Sequence, residues 1–384
     1  MRNKLTTFSI ITMLLLSILS CNESSNKEEG ENERSKSNLK DNISTLKVYE
    51  YLNKKKTNYS LDEIANDMQL VTFETTDSSL ISNINVAFVT PQYICLIDRN
   101  KLFFFDHSGK YHFTLDARGD GPGEYSSISD VMYDPDESLI IIHDMHKSKL
   151  MKYDMNGQFI SDKDINGIGA IINLDTDYYV ASFSPFANKN KLIGIFDKSF
   201  GIRKELIYTD FNNEQYTKKG FILINPFTSS NNGLCIKPLF SDTVYQIYPN
   251  NVEPFFVVDK QHLNPPIEVL SDLSQQKNRG KYISNDYGII INDLYFTTFH
   301  YDNKLYQDIW DIGQGELLYR NIASSAKDRY GVAVNIDDEL IHVWPVFVKD
   351  ALVYCKIDPK DQELLKTNAE DNDLMLKFTA ISMN

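Results

Sequence analysis

The residues best suited to chemistry in this 384-residue chain gather between positions 116 and 146. Residues 116–125 read DARGDGPGEY. Gly119, Gly121 and Gly123 permit turns closed to other residues, Pro122 stiffens the loop, and Glu124 can cap exposed backbone NH groups. A loop built this way either meets a ligand at a rim or makes a rigid connection. Within it, Arg118-Gly119-Asp120 spells a cell-adhesion tripeptide, a match that chance supplies easily. Asp116, Asp120 and Glu124 offer carboxylates to Ca²⁺, but their spacing fits no standard loop. His143 and His146 flank Asp144, and a bare H-x-x-H without a third ligand makes a weak metal site. No G-x-S-x-G elbow, P-loop or H-E-x-x-H occurs, so no catalytic residue, metal or cofactor is expected. Trp310 and Trp344 could stack on sugar rings, although such residues more often fill interfaces.

A different chemistry sits at the N-terminus. Arg2 and Lys4 precede the uncharged run FSIITMLLLSILS, which ends at Cys21. A basic start, an apolar stretch short of a bilayer span and a small residue before the cut describe a signal peptide. Ile18-Leu19-Ser20-Cys21 resembles a lipobox, so residues 1–20 are expected to be removed and Cys21 lipidated. Residues 21–64 then read as the lipidated cysteine and a flexible acidic tether, since residues 22–45 hold too little apolar surface to offset ordering. Glu28, Glu29, Glu31 and Glu33 resemble the export signal of surface lipoproteins, and serve equally well as a solvated linker.

The formal charge of −14 argues against a nucleic-acid partner, which requires a basic face. Cys95, Cys235 and Cys355 are odd in number and widely spaced, and read as buried apolar residues without a disulfide framework.

A repeat organises the remainder. Residues 94–115 (ICLIDRNKLFFFDHSGKYHFTL) and 140–162 (IIIHDMHKSKLMKYDMNGQFISD) share an apolar strand ending in Asp98 or Asp144, a short turn and a second strand. A D-x-x-G turn (Asp106–Gly109, Asp154–Gly157) and a third strand follow. The Asp side chain can accept backbone NH groups, and the Gly supplies positive φ. Further copies turn at Asp197–Gly201, at Pro249-Asn250-Asn251, near Asp311 and at Asp358-Pro359-Lys360-Asp361. The turns lie 43–62 residues apart. That period, built from antiparallel strands, predicts an all-β, six-bladed β-propeller over residues 65–384. The longest interval contains a helical spacing over Pro266–Asn278, read as an insertion between blades four and five within residues 260–290 and as a pointer to the binding face. To close the ring, MQLVTFET (68–75) is expected to pair beside DLMLKFTAI (373–381).

With the repeat in place, GDGPGEY strongly resembles the G-x-G-P-G-E-Y signature of six-bladed β-propeller lipoproteins of Bacteroidetes, which are similar to NHL-type propellers. The resemblance extends through SLISNI (79–84), the flanking Asp repeats and SDTVYQI (241–247). It implies a lipoprotein propeller with no catalytic residues to carry over. A motif shared without shared chemistry favours the connection reading for Arg118, Gly119, Asp120, Gly121, Pro122, Gly123, Glu124 and Tyr125. The expectation is an outer-membrane lipoprotein of the cell envelope, on either face, that binds a glycan, peptide or envelope-protein partner or acts as a scaffold. The alternative is a propeller-type hydrolase or lyase with carboxylates or a metal at the channel mouth.

Overall fold

In KLFFF (101–105) four consecutive apolar side chains are buried, which a strand with one wet face would not allow. The strand lies between two neighbouring sheets and divides its residues by parity. Phe103 and Phe105 join Tyr354 and Met375 on one side. Leu102 and Phe104 join Ile140, Ile142 and Tyr153 on the other. Each fully buried side chain of this size contributes about 1.5–3 kcal/mol, so the sheets are held together by the residues that define them.

A computed structural model describes residues 43–382, apart from 184–190, 208–226, 229, 232, 239–240, 267–268, 270–275, 326 and 366–373. Cys21 and the acidic cluster lie outside the described residues. Strands β1 (Ser44–Leu46) and β2 (Ala65–Thr72) precede six sheets arranged as the blades of a propeller. The first blade is β3–β6 (Val86–Val89, Ile94–Asp98, Lys101–Phe105, Tyr111–Leu115) and the second β7–β10 (Asp130–Asp134, Leu139–Asp144, Lys149–Asp154, Phe159–Asp164). The third is β11–β14 (Ile168–Asn173, Tyr178–Phe183, Lys191–Asp197, Ile202–Ile207) and the fourth β15–β18 (Phe227–Thr228, Leu234–Ile236, Thr243–Ile247, Val252–Val258). The fifth is β19–β22 (Ser284–Ile291, Leu294–Tyr301, Lys304–Asp311, Glu316–Ala323) and the sixth β23–β26 (Val332–Ile336, Glu339–Lys349, Leu352–Ile357, Leu374–Ala380). Within the blades burial falls outward: β10 is exposed throughout, whereas β7 packs against β3 and β11.

The closing strand lies where the sequence places it, with β2 antiparallel to β26 and Gln69 opposite Lys377. Residues 44–64, read from sequence as the end of the tether, carry β1 and two 3-10 turns. β1 runs parallel to β18 on the fourth blade. Lys56 bridges to Arg320 on the fifth blade, and Ser60 bridges to Ala333 on the sixth. This strap therefore ties three consecutive blades before β2 closes the ring.

The D-x-x-G turns have a common mechanism. Asp106 accepts the amides of Ser108 and Lys110 at 2.9 and 3.1 Å, and Asp154 accepts those of Asn156 and Gln158 at 2.8 Å each. Gly109 and Gly157 take φ of +92° and +78°. At Asp197 the extra residue does not lengthen the turn: Phe200 takes the left-handed position at φ +62°, and Gly201 donates to Asp197. A bulky residue pays strain there, and Phe200 is held by stacking on Tyr179, with ring centroids 5.2 Å apart.

The sixth unit departs from expectation. Asp358 does not open a hairpin; Pro359–Leu365 is a helix, with Lys360 donating to Asp358 at 3.0 Å. Asp before Pro is an N-cap followed by a residue whose missing N–H costs nothing there. Asp358 is instead the counterpart of Asp98 and Asp144. Those two accept the amides of Ser82 and Ser126 at 2.9 and 2.6 Å, just ahead of the first strand of their blades. Asp358 accepts the amide of Tyr330 at 2.8 Å, just ahead of β23. Strand β24 serves both neighbours, pairing β23 through residues 339–343 and β25 through 343–349. Of the helix expected over Pro266–Asn278, the described residues hold a turn from Gln276 to Arg279.

Candidate functional site

Residues 118–125 connect β6 of the first blade to β7 of the second, and the loop is bonded on every side. Gly119 donates to the carbonyl of Tyr125 (3.0 Å), and Tyr125 donates to that of Ala117 (2.9 Å). Glu124 turns back to accept Gly121 N–H at 2.8 Å. It occupies the space a side chain at 119 would need, since a Cβ there would lie 2.0 Å from Oε2. Gly123, at φ +75°, packs on the Phe159 ring. The buried Tyr125 hydroxyl donates to the carbonyl of Asn100 at 3.0 Å, and Tyr153 donates to that of Gly123 at 2.9 Å. Lys147 donates to the carbonyls of Gly119 and Glu124 at 2.6 and 2.9 Å. Pro122 and Asp120 lie outermost, with Asp120 3.8 Å from the Lys147 ammonium.

The other sequence candidates are dispersed. The buried His143 points Nδ1 at the carbonyl of Gly169 (3.0 Å), whereas His146 is exposed. Asp116 is held by Arg118 and Lys101, each at 2.7 Å; the Arg118 hydrogen bond first, then Lys101, lower its pKa to about 2 against its burial. Asp116, Asp120 and Glu124 therefore have separate partners. Trp310 is buried and meets Tyr51 edge-on, and Trp344 meets Phe296 likewise. Cys95, Cys235 and Cys355 are buried free thiols whose pKa burial pushes up.

A site that sequence reading missed lies under the strap. Lys56, Asn58, Tyr59, Glu63 and Ile64 form one wall of a cavity of about 660 Å³. The β19–β20 turn (Asn292, Asp293), Leu294, the β21–β22 turn (Asp311 to Glu316) and Leu318 form the other, with Ser382 beside them. Strands of a blade alternate in direction, so these two turns share one face of the disc; the 118–125 connection and the 259–283 insertion leave from the other. The lining carries four carboxylates (Glu63, Asp293, Asp311, Glu316) against one ammonium, Lys56. Lys56 is already bound to Glu316 at 2.8 Å. Tyr59 is only 7% exposed, and its hydroxyl has no hydrogen-bond partner among the described residues. Burial, and then the charge of Glu63, raise its pKa. An unmet buried hydroxyl costs about 1–3 kcal/mol unless something else bonds it. The lining comes from four stretches spread over the chain, and only the turn near Asp311 was visible as a motif.

The family model for a domain of unknown function, DUF4934, matches residues 43–382. The chain belongs to the DUF4934 family. The boundary of this DUF4934 domain falls at the strap, so the family unit includes the cavity wall. The fold is shared with solved structures at low identity. BF0058 of Bacteroides fragilis, designated an exported protein, is similar at TM-score 0.67 and 16% identity, over 88% of this chain and 100% of that one. A DUF4221 member from Bacteroides vulgatus is similar at TM-score 0.52 and 11% identity, over 83% of this chain and 97% of that one. No curated protein matches the sequence.

Proposed function

We propose that this DUF4934 propeller is an exported, lipid-anchored binding protein, and that the cavity under the strap is its ligand site. The observation that carries this reading is the space itself, a cavity of about 660 Å³ between the strap and the turns of the fifth blade, a volume in the range of small-ligand sites. Its lining is mainly polar: Lys56, Asn58, Glu63, Asp293 and Glu316 offer groups that can orient a ligand, and the partly buried Leu318 offers an apolar contact. Cys21 supplies the anchor, and the designation of BF0058 as exported supports the same compartment. The resemblance of GDGPGEY to the signature of Bacteroidetes propeller lipoproteins supports placement in the outer membrane. Arg118–Tyr125 serve as a spacer that fixes the angle between the first two blades, because the Gly119 and Glu124 carbonyls, the Gly121 amide and the Tyr125 hydroxyl bond within the loop and to blade residues.

Two measurements test this. Palmitate labelling of cells should mark the wild type and not Cys21→Ser; equal labelling would remove the anchor from the account. Monosaccharides, amino acids and short peptides should include at least one that raises the melting temperature of the wild type more than that of Leu318→Trp, which narrows the cavity. Equal stabilisation of both proteins would move the site elsewhere, and no stabilisation by any ligand would favour a scaffold.

A further inference from the structure

We infer that Arg329 and His342 form a second ligand site, for the tetrahedral oxyanion of a sulfate or phosphate ester, on the face opposite the strap cavity. His342 stands near the start of β24, the strand through which the sixth blade packs on β19 and β3. Its carbonyl accepts the amide of Asp358 at 2.8 Å, at the end of β25 and on the face from which the inter-blade connections leave. Arg329 lies in the connection just ahead of β23. Asp361, on the helix Pro359–Leu365, joins the two. Its side chain is 1% exposed; Oδ1 accepts Arg329 Nη1, and Oδ2 accepts the backbone amide of His342 at 2.7 Å and lies 3.1 Å from the ring Nδ1. Burial works against its charge, and the bonds from Arg329 and His342 outweigh it, holding the carboxyl below its ordinary range.

With both Asp361 oxygens occupied and buried, the cluster turns donors toward solvent. Arg329 is 46% exposed and spends only Nη1, on Asp361 and, at 3.2 Å, on Nδ1 of His342; no described residue bonds its Nε or Nη2. His342 is 19% exposed, and no described residue bonds its Nε2. The imidazolium, and the neutral ring whose Nδ1 accepts from Arg329, both carry a proton on Nε2. Pinning the helix to β24 does not need these free edges, since the amides of Asp358 and His342 already do it. The Nε–Nη2 edge of a guanidinium offers two parallel N–H bonds, and the imidazole adds a third from a different plane. A carboxylate has two oxygens to meet them, whereas a sulfate or phosphate ester has three. Lys360 bonds the carbonyl of Lys327, which brings two exposed cations to the same face. The nearby Asp328 spends its Oδ2 on the amides of Ser324 and Ser325.

Calorimetric titration of the detergent-solubilised full chain with glucose 6-sulfate, glucose 6-phosphate, glucuronate and glucose varies the head group on one carbon skeleton. At least one ester is expected to bind, with glucuronate and glucose at least about fivefold weaker, in line with half-exposed charge-assisted contacts. The ester that binds more tightly names the source of the oxyanion. Arg329→Gln and His342→Gln should each weaken ester binding about fivefold, and high salt should weaken it in the wild type. His342→Gln keeps the backbone amide on Asp361, so its urea midpoint should stay close to that of the wild type. Leu318→Trp, on the other face, should bind the esters as the wild type does. Glucose or glucuronate binding as tightly as both esters, or ester binding indifferent to both variants, would overturn the inference. So would the absence of ester binding, and its loss in Leu318→Trp would move the ester to the strap cavity.

Discussion

Lys56 Nζ lies 2.8 Å from Glu316 Oε1 and 2.6 Å from the Leu317 carbonyl oxygen, pinning the strap to the outer strand of the fifth blade at the edge of the cavity. The pair is half-exposed, so its net worth is about 0–1 kcal/mol. Lys56→Met should lower stability by no more than that in urea unfolding, since β1 and β2 hold both ends of the strap. Local opening should change more than global stability. Trypsin is expected to cut at the exposed Lys54 and Lys55 several-fold faster in the variant. An unchanged cleavage rate would mean that this ion pair does not hold the strap down.

The loop at 118–125 makes a sterically sharper prediction. Gly119→Ala places a Cβ 2.0 Å from Glu124 Oε2, and Gly123→Ala places one 2.6 Å from the Phe159 ring at a φ of +75°. Each should cost about 1–3 kcal/mol. Glu124→Ala should recover part of the loss at 119 and none at 123. Equal recovery at both sites would show that the glycines are required for another reason.

The assignment of Asp358 can be tested as a set. Asp98, Asp144 and Asp358 each accept a backbone amide from the segment ahead of a blade and are buried. Their replacement by Ala removes a charge-assisted bond between a buried carboxylate and a backbone amide and should cost about 1.5–3 kcal/mol in each case. Asp106→Ala and Asp154→Ala, in exposed turns, should cost about 1 kcal/mol or less. Denaturant unfolding that groups Asp358 with the second pair would contradict the structural alignment.

Asp130 gives a pH dependence. It sits on β7 opposite His143, and its carboxylate accepts the amide of Ile171 on the third blade at 2.7 Å. Burial raises its pKa to about 7 despite amide bonds from Ile171 and Val131, while burial lowers that of His143. For an acid whose folded pKa exceeds its unfolded value of about 4, the stabilisation is complete below the unfolded value. It is lost as pH rises through about 7. Asp130→Asn cannot ionise, so its stability relative to the wild type should rise by roughly 2–3 kcal/mol between pH 5 and pH 8. A difference that stays flat over that range would place the Asp130 pKa near its ordinary value.

The architecture was legible because its signals are local. Asp98 and Asp106 announce successive strands within twelve residues, and the parity of KLFFF fits a strand covered on both faces. The closing strand was legible because Met68, Leu70 and Val71 give a strand-like mix of apolar and polar residues and a ring must pair its first and last strands. Asp358 was misread because Asp before a turn and Asp before a helix look alike until Pro359 is read as a first helical residue. The strap was misread because residues 44–64 bind through backbone bridges and single contacts such as Lys56 to Glu316, which leave no periodicity. The cavity was invisible for the same reason: Tyr59, Asp293 and Asp311 meet only after four distant segments come together.

Hydrogen exchange of the full chain, with and without each monosaccharide, amino acid or short peptide that raises its melting temperature, tests the central claim most directly. Slower exchange confined to residues 56–64, 292–294 and 311–318, and absent in Leu318→Trp, is the expected result. Protection at 118–125 or around the 259–283 insertion, with none under the strap, would contradict it.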